Sequence, residues 1–258
     1  MPDQPDDIYQ DFPFVSLETV DSTNNYALHL VHAGLAQHGT AVFTYEQTAG
    51  KGQRQKTWHA AAGENILMSL LLRPEGLSIA DQPALNAAVA LGTYDFFSRY
   101  AGDGTSIKWP NDLYWQDRKA VGILVENIIS AGTEGGGAWK WAVAGIGINI
   151  NQTNFGDFNR RPVSLRQITG RSYDLITLAR ELRHCVLKQY DALQKNGTAA
   201  ILALYNQRLY KLHEKVKLKK DNRVFETEIR GVGADGRLTV FHGIEETFAH
   251  GEVEWIID

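Results

Sequence analysis

Lys108-Trp109-Pro110-Asn111-Asp112-Leu113-Tyr114, continued by Gln116-Asp117-Arg118-Lys119 and then Ala120-Val121-Gly122-Ile123-Leu124-Val125-Glu126, is the stretch on which the fold turns. Pro110 lacks an amide hydrogen and restrains Trp109 to extended geometry, so the chain turns between a strand ending near Lys108 and another beginning near Asp112. Gln116-Asp117-Arg118-Lys119 reads as a polar hairpin connection, and the β-branched run after it as a further strand. A glycine-rich turn at 132–137 then leads into a strand at 139–149. Consecutive β-segments joined by tight turns predict an antiparallel or mixed sheet. Strict alternation of strand and helix is missing, which argues against a doubly wound parallel sheet.

Working outward, Phe14-Val15-Ser16-Leu17 is a predicted strand. Asp21-Ser22-Thr23 offers capping side chains to a helix over 24–33 that Gly34 closes. A strand at 41–45 feeds a glycine-rich basic loop at 46–56, and the apolar run 65–72 predicts a strand buried on both faces. Pro83 suits the first turn of a helix to about residue 100, with Leu85, Val89, Gly92, Phe96 and Tyr100 on one face. Residues 151–161 read as a surface loop or lid. Asp174 caps a helix whose apolar set is Leu178, Ala179, Leu182, Cys185, Val186 and Leu193, and a shorter helix follows at 199–209. From Lys215 the pattern changes to short strands at 216–218, 224–232, 238–241 and 253–257, with a hairpin turn at Ala234-Asp235-Gly236-Arg237. The division implied is a large unit, 1–211, and a small barrel, 212–258.

The chain has 258 residues, room for a large domain or a large and a small one. Its 43% hydrophobic and 22% charged content is that of an ordinary globular protein, and a formal charge of −4 argues against general nucleic-acid binding. The longest apolar run is far shorter than the roughly 20 residues a membrane span requires. The start, Met1-Pro2-Asp3-Gln4-Pro5-Asp6-Asp7, is acidic where a signal peptide is basic, so the expected location is the cytoplasm. Cys185 is the single cysteine and reads as core; His29 and His32 lack a third ligand at sensible spacing and read as structural.

Four stretches carry chemistry. In Gly50-Lys51-Gly52-Gln53-Arg54-Gln55-Lys56-Thr57-Trp58 the glycines let backbone amides approach an anion while Lys51, Arg54 and Lys56 supply charge. A P-loop ending is absent, and a solvated basic loop is the plain alternative. Ser22, Thr23, Asn24 and Gln47 are hydroxyl and amide groups suited to a neutral polar ligand; capping explains some of them but not Gln47. Lys108 to Lys119 holds lysines and aspartates at strand ends. Gly145-Ile146-Gly147-Ile148-Asn149 is a strand whose glycines permit close approach and whose asparagine emerges at its end.

Taken in order across about 130 residues, these stretches resemble the biotin protein ligases, whose patterns are Asp-Ser-Thr-Asn, Gly-Arg-Gly-Arg before a tryptophan, Lys-Trp-Pro-Asn-Asp followed by Arg-Lys, and a glycine strand ending in asparagine. Lys51 and Gln53 replace the two arginines, so charge is kept at one position and lost at the other. The resemblance implies an α+β fold: a mixed or antiparallel central sheet flanked by helices, like a class II synthetase and shared by biotin and lipoate ligases, with a small C-terminal SH3-like barrel. It implies activation of biotin by ATP and Mg²⁺ to biotinyl-5′-AMP, then transfer to a lysine of a biotin carboxyl carrier domain of a biotin-dependent carboxylase. It assigns biotin to Ser22, Thr23, Asn24, Gln47, Gly50, Lys119 and Gly122. Nucleotide falls to Lys51, Gly52, Gln53, Arg54, Lys56, Trp58, Asn111, Asn149 and Arg230, the metal to Asp112 and Asn149, and catalysis to Lys119 with Lys51 and Arg54. Trp58 and Trp109 would exclude water, and Lys108 is a structural partner. Only 20 residues precede Asp21, too few for the DNA-binding domain of some relatives, so no sequence-specific DNA binding is expected; the protein would act as a monomer or homodimer. A lipoate or octanoate ligase of the same fold, or a biotin-binding regulator without ligase activity, is the alternative.

Overall fold

The computed structural model describes residue 9 and residues 11–130, 137–156 and 162–256. The glycine-rich turn at 132–137, Gly137 apart, and the end of the loop at 151–161 lie outside the described residues. Among the described residues no helix is long and apolar enough to cross a membrane.

The chain begins with β1 (Phe14–Val20), α1 (Thr23–His32) and β2 (Ala41–Gln47), and β1 pairs with β2 in parallel. This βαβ unit makes the sheet mixed. The remaining strands, β3 (Asn65–Leu72), β4 (Thr105–Lys108), β5 (Asp112–Trp115), β6 (Arg118–Ser130) and β7 (Ala138–Asn149), pair antiparallel and complete the order β1-β2-β3-β7-β6-β5-β4. The connection between β5 and β6 is shorter than its polar sequence suggests. Gln116 takes a positive φ of 52° and the strand resumes at Arg118, so Arg118 and Lys119 are strand residues rather than turn residues. Lys119 thereby gains a fixed backbone.

All eight residues of β3 are buried, as its continuous apolar run demands. One face of the sheet meets α2 (Gln82–Ala101), the short α3 (Leu165–Thr169), α4 (Leu175–Asn196) and α5 (Thr198–Gln207) in the main core, which includes Phe43, Met68, Leu85, Phe96 and Val186. α2 and α4 approach closely at Gly92, where an added Cβ would collide with the Val186 backbone. Cys185 is buried there, and burial pushes its thiol up to about 11. The other face is covered by α1 through Ala27, against Val42, Leu71 and Val143. Leu67 and Met68 carry β3 beneath the start of α1, and the open space lies at that end.

Strands β8 (Lys215–Lys220), β9 (Arg223–Val232), β10 (Leu238–Phe241), β11 (Glu245–Phe248) and β12 (Glu254–Ile256) form a second, antiparallel sheet in the order β11-β10-β9-β8-β12. It is fastened to the first part of the chain by side chains. Asn206 at the end of α5 donates to the Val232 carbonyl at 3.0 Å and accepts from the Val232 amide at 2.7 Å, and Trp109 Nε1 donates to the Gly236 carbonyl at 3.0 Å. The hairpin turn read at residues 234–237 is therefore also a docking point on the Lys-Trp-Pro segment.

Candidate active site

A cavity of about 220 Å³ lies between the start of α1, the loop after β2, and strands β3, β5, β6 and β7. Its neutral wall is built by mutual hydrogen bonds. Gln47 Oε1 accepts from the Thr23 amide at 2.8 Å and from Thr23 Oγ1 at 3.1 Å. Ser69 Oγ donates to Asn24 Oδ1 at 2.5 Å and lies 2.7 Å from Thr23 Oγ1. Asn24 Nδ2 donates to Glu126 Oε2 at 2.7 Å. With its carbonyl end engaged, Gln47 has its amide hydrogens available to an acceptor such as a urea carbonyl, whereas the Asn24 amide is already given in part to Glu126. Ser22 is the N-cap residue of α1, yet its side chain makes no capping bond; buried to 1% exposure, it faces the cavity instead.

The floor is glycine. A Cβ on Gly145 would collide with Asn24 Oδ1, and Cβ atoms on Gly122 and Gly147 would meet the Trp58 ring at 2.6 and 2.5 Å. Trp58 thus lies flat against β6 and β7 because two residues there have no side chain. Trp58 Nε1 and Gln53 Oε1 are buried without a hydrogen-bond partner, one donor and one acceptor at the wall of this cavity. Such groups cost about 1–3 kcal/mol each until something pairs with them.

The charged wall comes from the loop after β2. Its neck is tied by Gly52 N to the Lys56 carbonyl at 2.7 Å and by Trp58 N to the Gly50 carbonyl at 3.0 Å. Gly50 sits under that neck, where a Cβ would stand 2.5 Å from the Trp58 carbonyl. Arg54 and Gln55 take left-handed backbone conformations, with φ of 53° and 63°. Lys51, Gly52, Gln53, Arg54 and Lys56 all line the cavity, and Arg54 Nη1 reaches the Gly251 carbonyl at 3.4 Å. Opposite them, Lys119 Nζ pairs with Asp112 Oδ1 at 2.7 Å and lies 5.6 Å from the centre of the Trp58 ring.

A larger cavity, about 720 Å³, adjoins the first and shares Gln53, Arg54, Asn111, Ile123, Leu124 and His250 with it. Trp109, Pro110 and α2 form its other side. Asn111 Nδ2 donates to the Ile123 carbonyl at 2.5 Å, and the Ile123 amide returns a bond to the Asn111 carbonyl at 3.0 Å, so the Pro-Asn-Asp turn is locked to β6.

A family model described as the biotin/lipoate A/B protein ligase family matches residues 16–138. The chain is 30% identical over 235 residues to the bifunctional ligase/repressor BirA of Bacillus spizizenii, an alignment covering 90% of this chain and 68% of that one. It belongs to that ligase family. A biotin–[acetyl-CoA-carboxylase] ligase of Paracoccus denitrificans is 36% identical over 167 residues, covering 61% of this chain and 65% of its own length. The biotin protein ligase of Aquifex aeolicus, solved in complex with biotin and ATP, has a TM-score of 0.76 at 22% identity, covering 95% of this chain and 99% of that one.

Against the positions this ligase family implies, the structure brings Ser22, Thr23, Asn24, Gln47, Lys51, Gly52, Gln53, Arg54, Lys56, Trp58, Asn111, Asp112, Lys119 and Gly122 to one cavity. Three expected residues are not in its lining: Gly50, which lies under the neck of the loop against the Trp58 carbonyl, Asn149 and Arg230. Asn149 is buried with its Nδ2 given to the Val163 carbonyl at 3.3 Å, and Arg230 pairs with Glu228 at 3.2 Å and covers Phe241 on the second sheet. Lys108 lies 5.2 and 5.3 Å from the ring centres of Tyr114 and Trp255, outside the cavity lining.

Two residues the motifs do not mark are present. Glu126 bridges Asn24 and Lys51. His250, delivered by the turn between β11 and β12, faces both cavities and packs edge-on to Trp109 at 6.0 Å between centroids. Burial, followed by the Arg54 charge, lowers the His250 pKa.

Proposed function

We propose that this chain condenses biotin with ATP to biotinyl-5′-AMP and pyrophosphate, then passes the biotinyl group to a lysine of a biotin carboxyl carrier domain. The observation that carries this reading is that a neutral hydrogen-bonding wall and a cationic loop converge on Lys119 in a single cavity. That is the requirement for joining a neutral bicyclic urea, through its carboxylate, to a phosphate. The relatives named as biotin–[acetyl-CoA-carboxylase] ligases favour biotin over lipoate.

In the first step a carboxylate oxygen of biotin attacks the α-phosphorus and pyrophosphate leaves. Both reactants are anions, and Lys119 stands between the two walls where charge accumulates in the transition state. Lys51, Arg54 and Lys56 hold phosphate oxygens, Gln53 offers a hydrogen bond without charge, and Trp58 shields the mixed anhydride from water. In the second step the carrier amine attacks the acyl carbon, AMP departs, and the amine loses a proton. The first 211 residues act as the catalytic unit, and 212–258 as a small unit that brings His250 to its edge.

For Mg²⁺ the donor set is thin. Among the described residues no three acidic, histidine or cysteine side chains cluster, and Asn149 is committed elsewhere. A hard cation that keeps waters and takes most of its ligands from phosphate needs one protein carboxylate, and Asp112 fits that part. Bound there, Mg²⁺ would offset charge on the departing pyrophosphate.

Pyrophosphate release on mixing the protein with biotin and Mg-ATP tests the proposal. A burst near one equivalent that requires biotin is expected. Release that is absent, or unaffected by biotin, contradicts it.

A further inference from the structure

Glu126 stands behind both walls without lining either cavity. One carboxylate oxygen accepts from Asn24 Nδ2 at 2.7 Å, and the other pairs with Lys51 Nζ at 3.4 Å. Asn24 is itself fixed by Ser69, so the carboxylate is anchored from the neutral side while it neutralises a cation on the phosphate side. Lys51 and Glu126 side chains are 37% and 31% exposed, which makes the pair weak enough for a polyvalent anion to open.

We propose that Glu126 is a displaceable counter-ion for Lys51, a positioning residue that limits the grip of the loop on phosphate so that nucleotide products leave. Whatever binds phosphate through Lys51 must first separate this pair. The cost falls equally on ATP, pyrophosphate and AMP, so it lowers uniform binding without lowering the transition state relative to bound substrate. A site that held AMP through an unopposed Lys51 would turn over slowly, because product release would limit it. Asp112 plays a different part beside Lys119: it lines the cavity and can meet the substrate's metal, whereas Glu126 reaches the ligand only through Lys51 and Asn24.

Glu126→Gln separates the two contacts, since its carbonyl still accepts from Asn24 while the charge facing Lys51 is gone. The test is calorimetric titration of wild type and variant with inorganic pyrophosphate, AMP and biotin separately, so that no turnover is needed. Pyrophosphate and AMP should bind roughly two- to fivefold tighter to the variant, the scale of one exposed ion pair. Biotin affinity should stay within about twofold, because the neutral wall keeps its hydrogen bond. In steady state KM for ATP and kcat should fall together, a pattern that loss of folded protein does not produce. Unchanged or weaker anion binding overturns the counter-ion, and tighter anion binding with unchanged kcat overturns its role in product release. Glu126→Thr, a strand-favouring replacement, gives the same anion test should the glutamine variant not fold. The role in turnover rests on the ligase reading, but the equilibrium titrations do not. Absence of biotin-dependent pyrophosphate release by the wild type would sink that reading and leave the anion affinities to judge Glu126.

Discussion

The two walls of the cavity are built on different principles. In the neutral wall, Thr23, Asn24, Gln47 and Ser69 engage one another through short hydrogen bonds among largely buried groups, so the wall is held by its own contacts. On the charged side, Lys51 and Lys119 are each held by a carboxylate, and Arg54 sits in a left-handed backbone conformation on a narrow loop. The neutral wall cannot change partners cheaply, because a buried polar atom left alone costs about 1–3 kcal/mol. The charged wall can, because partly exposed ion pairs are worth about 1 kcal/mol or less. A fixed wall suits a substrate recognised by shape and hydrogen bonds, and an exchangeable one suits phosphates that must enter and leave.

Substitutions that strike one wall and spare the other sharpen this contrast. The largest effect is expected for Lys119→Ala, where single-turnover formation of the adenylate should fall by roughly two to three orders of magnitude, the scale of losing one electrostatic stabiliser. Next is Gly145→Ala, which thrusts a methyl group at Asn24 Oδ1 and displaces it from Ser69. Biotin affinity should drop about tenfold while KM for ATP moves little, as titration with each ligand would record. A smaller difference is expected from salt. Raising ionic strength from about 0.1 to 1 M shortens the screening length from about 10 to 3 Å and should raise KM for ATP several-fold, leaving biotin binding nearly constant.

The smallest effect concerns the edge of the charged wall. Burial is the first cause lowering the pKa of His250 from 6.5, and the same holds for His38. The unfolded chain therefore takes up these protons first as pH falls below 6.5, so the stability tied to the neutral imidazoles is present above that pH and lost progressively beneath it. Thermal melts of His250→Gln from pH 7 to 5 should show a slightly shallower acid decline than wild type, by about 1–2 °C. A steeper decline would mean that the imidazole is stabilised in its charged form.

Much of this was legible in the sequence because it is local. The run at 65–72 declares a strand buried on both faces, and Ser22 to Asn24 mark the start of a helix whose N-cap residue, Ser22, leaves its hydroxyl out of the cap. What the sequence does not specify is which face of a strand meets which neighbour. Arg230 alternates with buried Ile229 and Gly231, and its outward phase carries it to Glu228 and Phe241 instead of the site. Asn149 ends its strand as expected, but its side chain turns to Val163. Glu126 lies 75 residues from Lys51, and the carbonyl that holds Arg54 lies 197 residues along the chain. No motif spacing reports such meetings, which exist only once β6 and the second sheet are in place.

The central claim is that the neutral wall selects biotin and the charged wall activates it. Mass spectrometry of a biotin carboxyl carrier domain after incubation with the protein, Mg-ATP and equal amounts of biotin and lipoate tests it most directly. One biotinyl group on one lysine, dependent on ATP, is the predicted product; a lipoyl adduct without a biotinyl one would contradict the account.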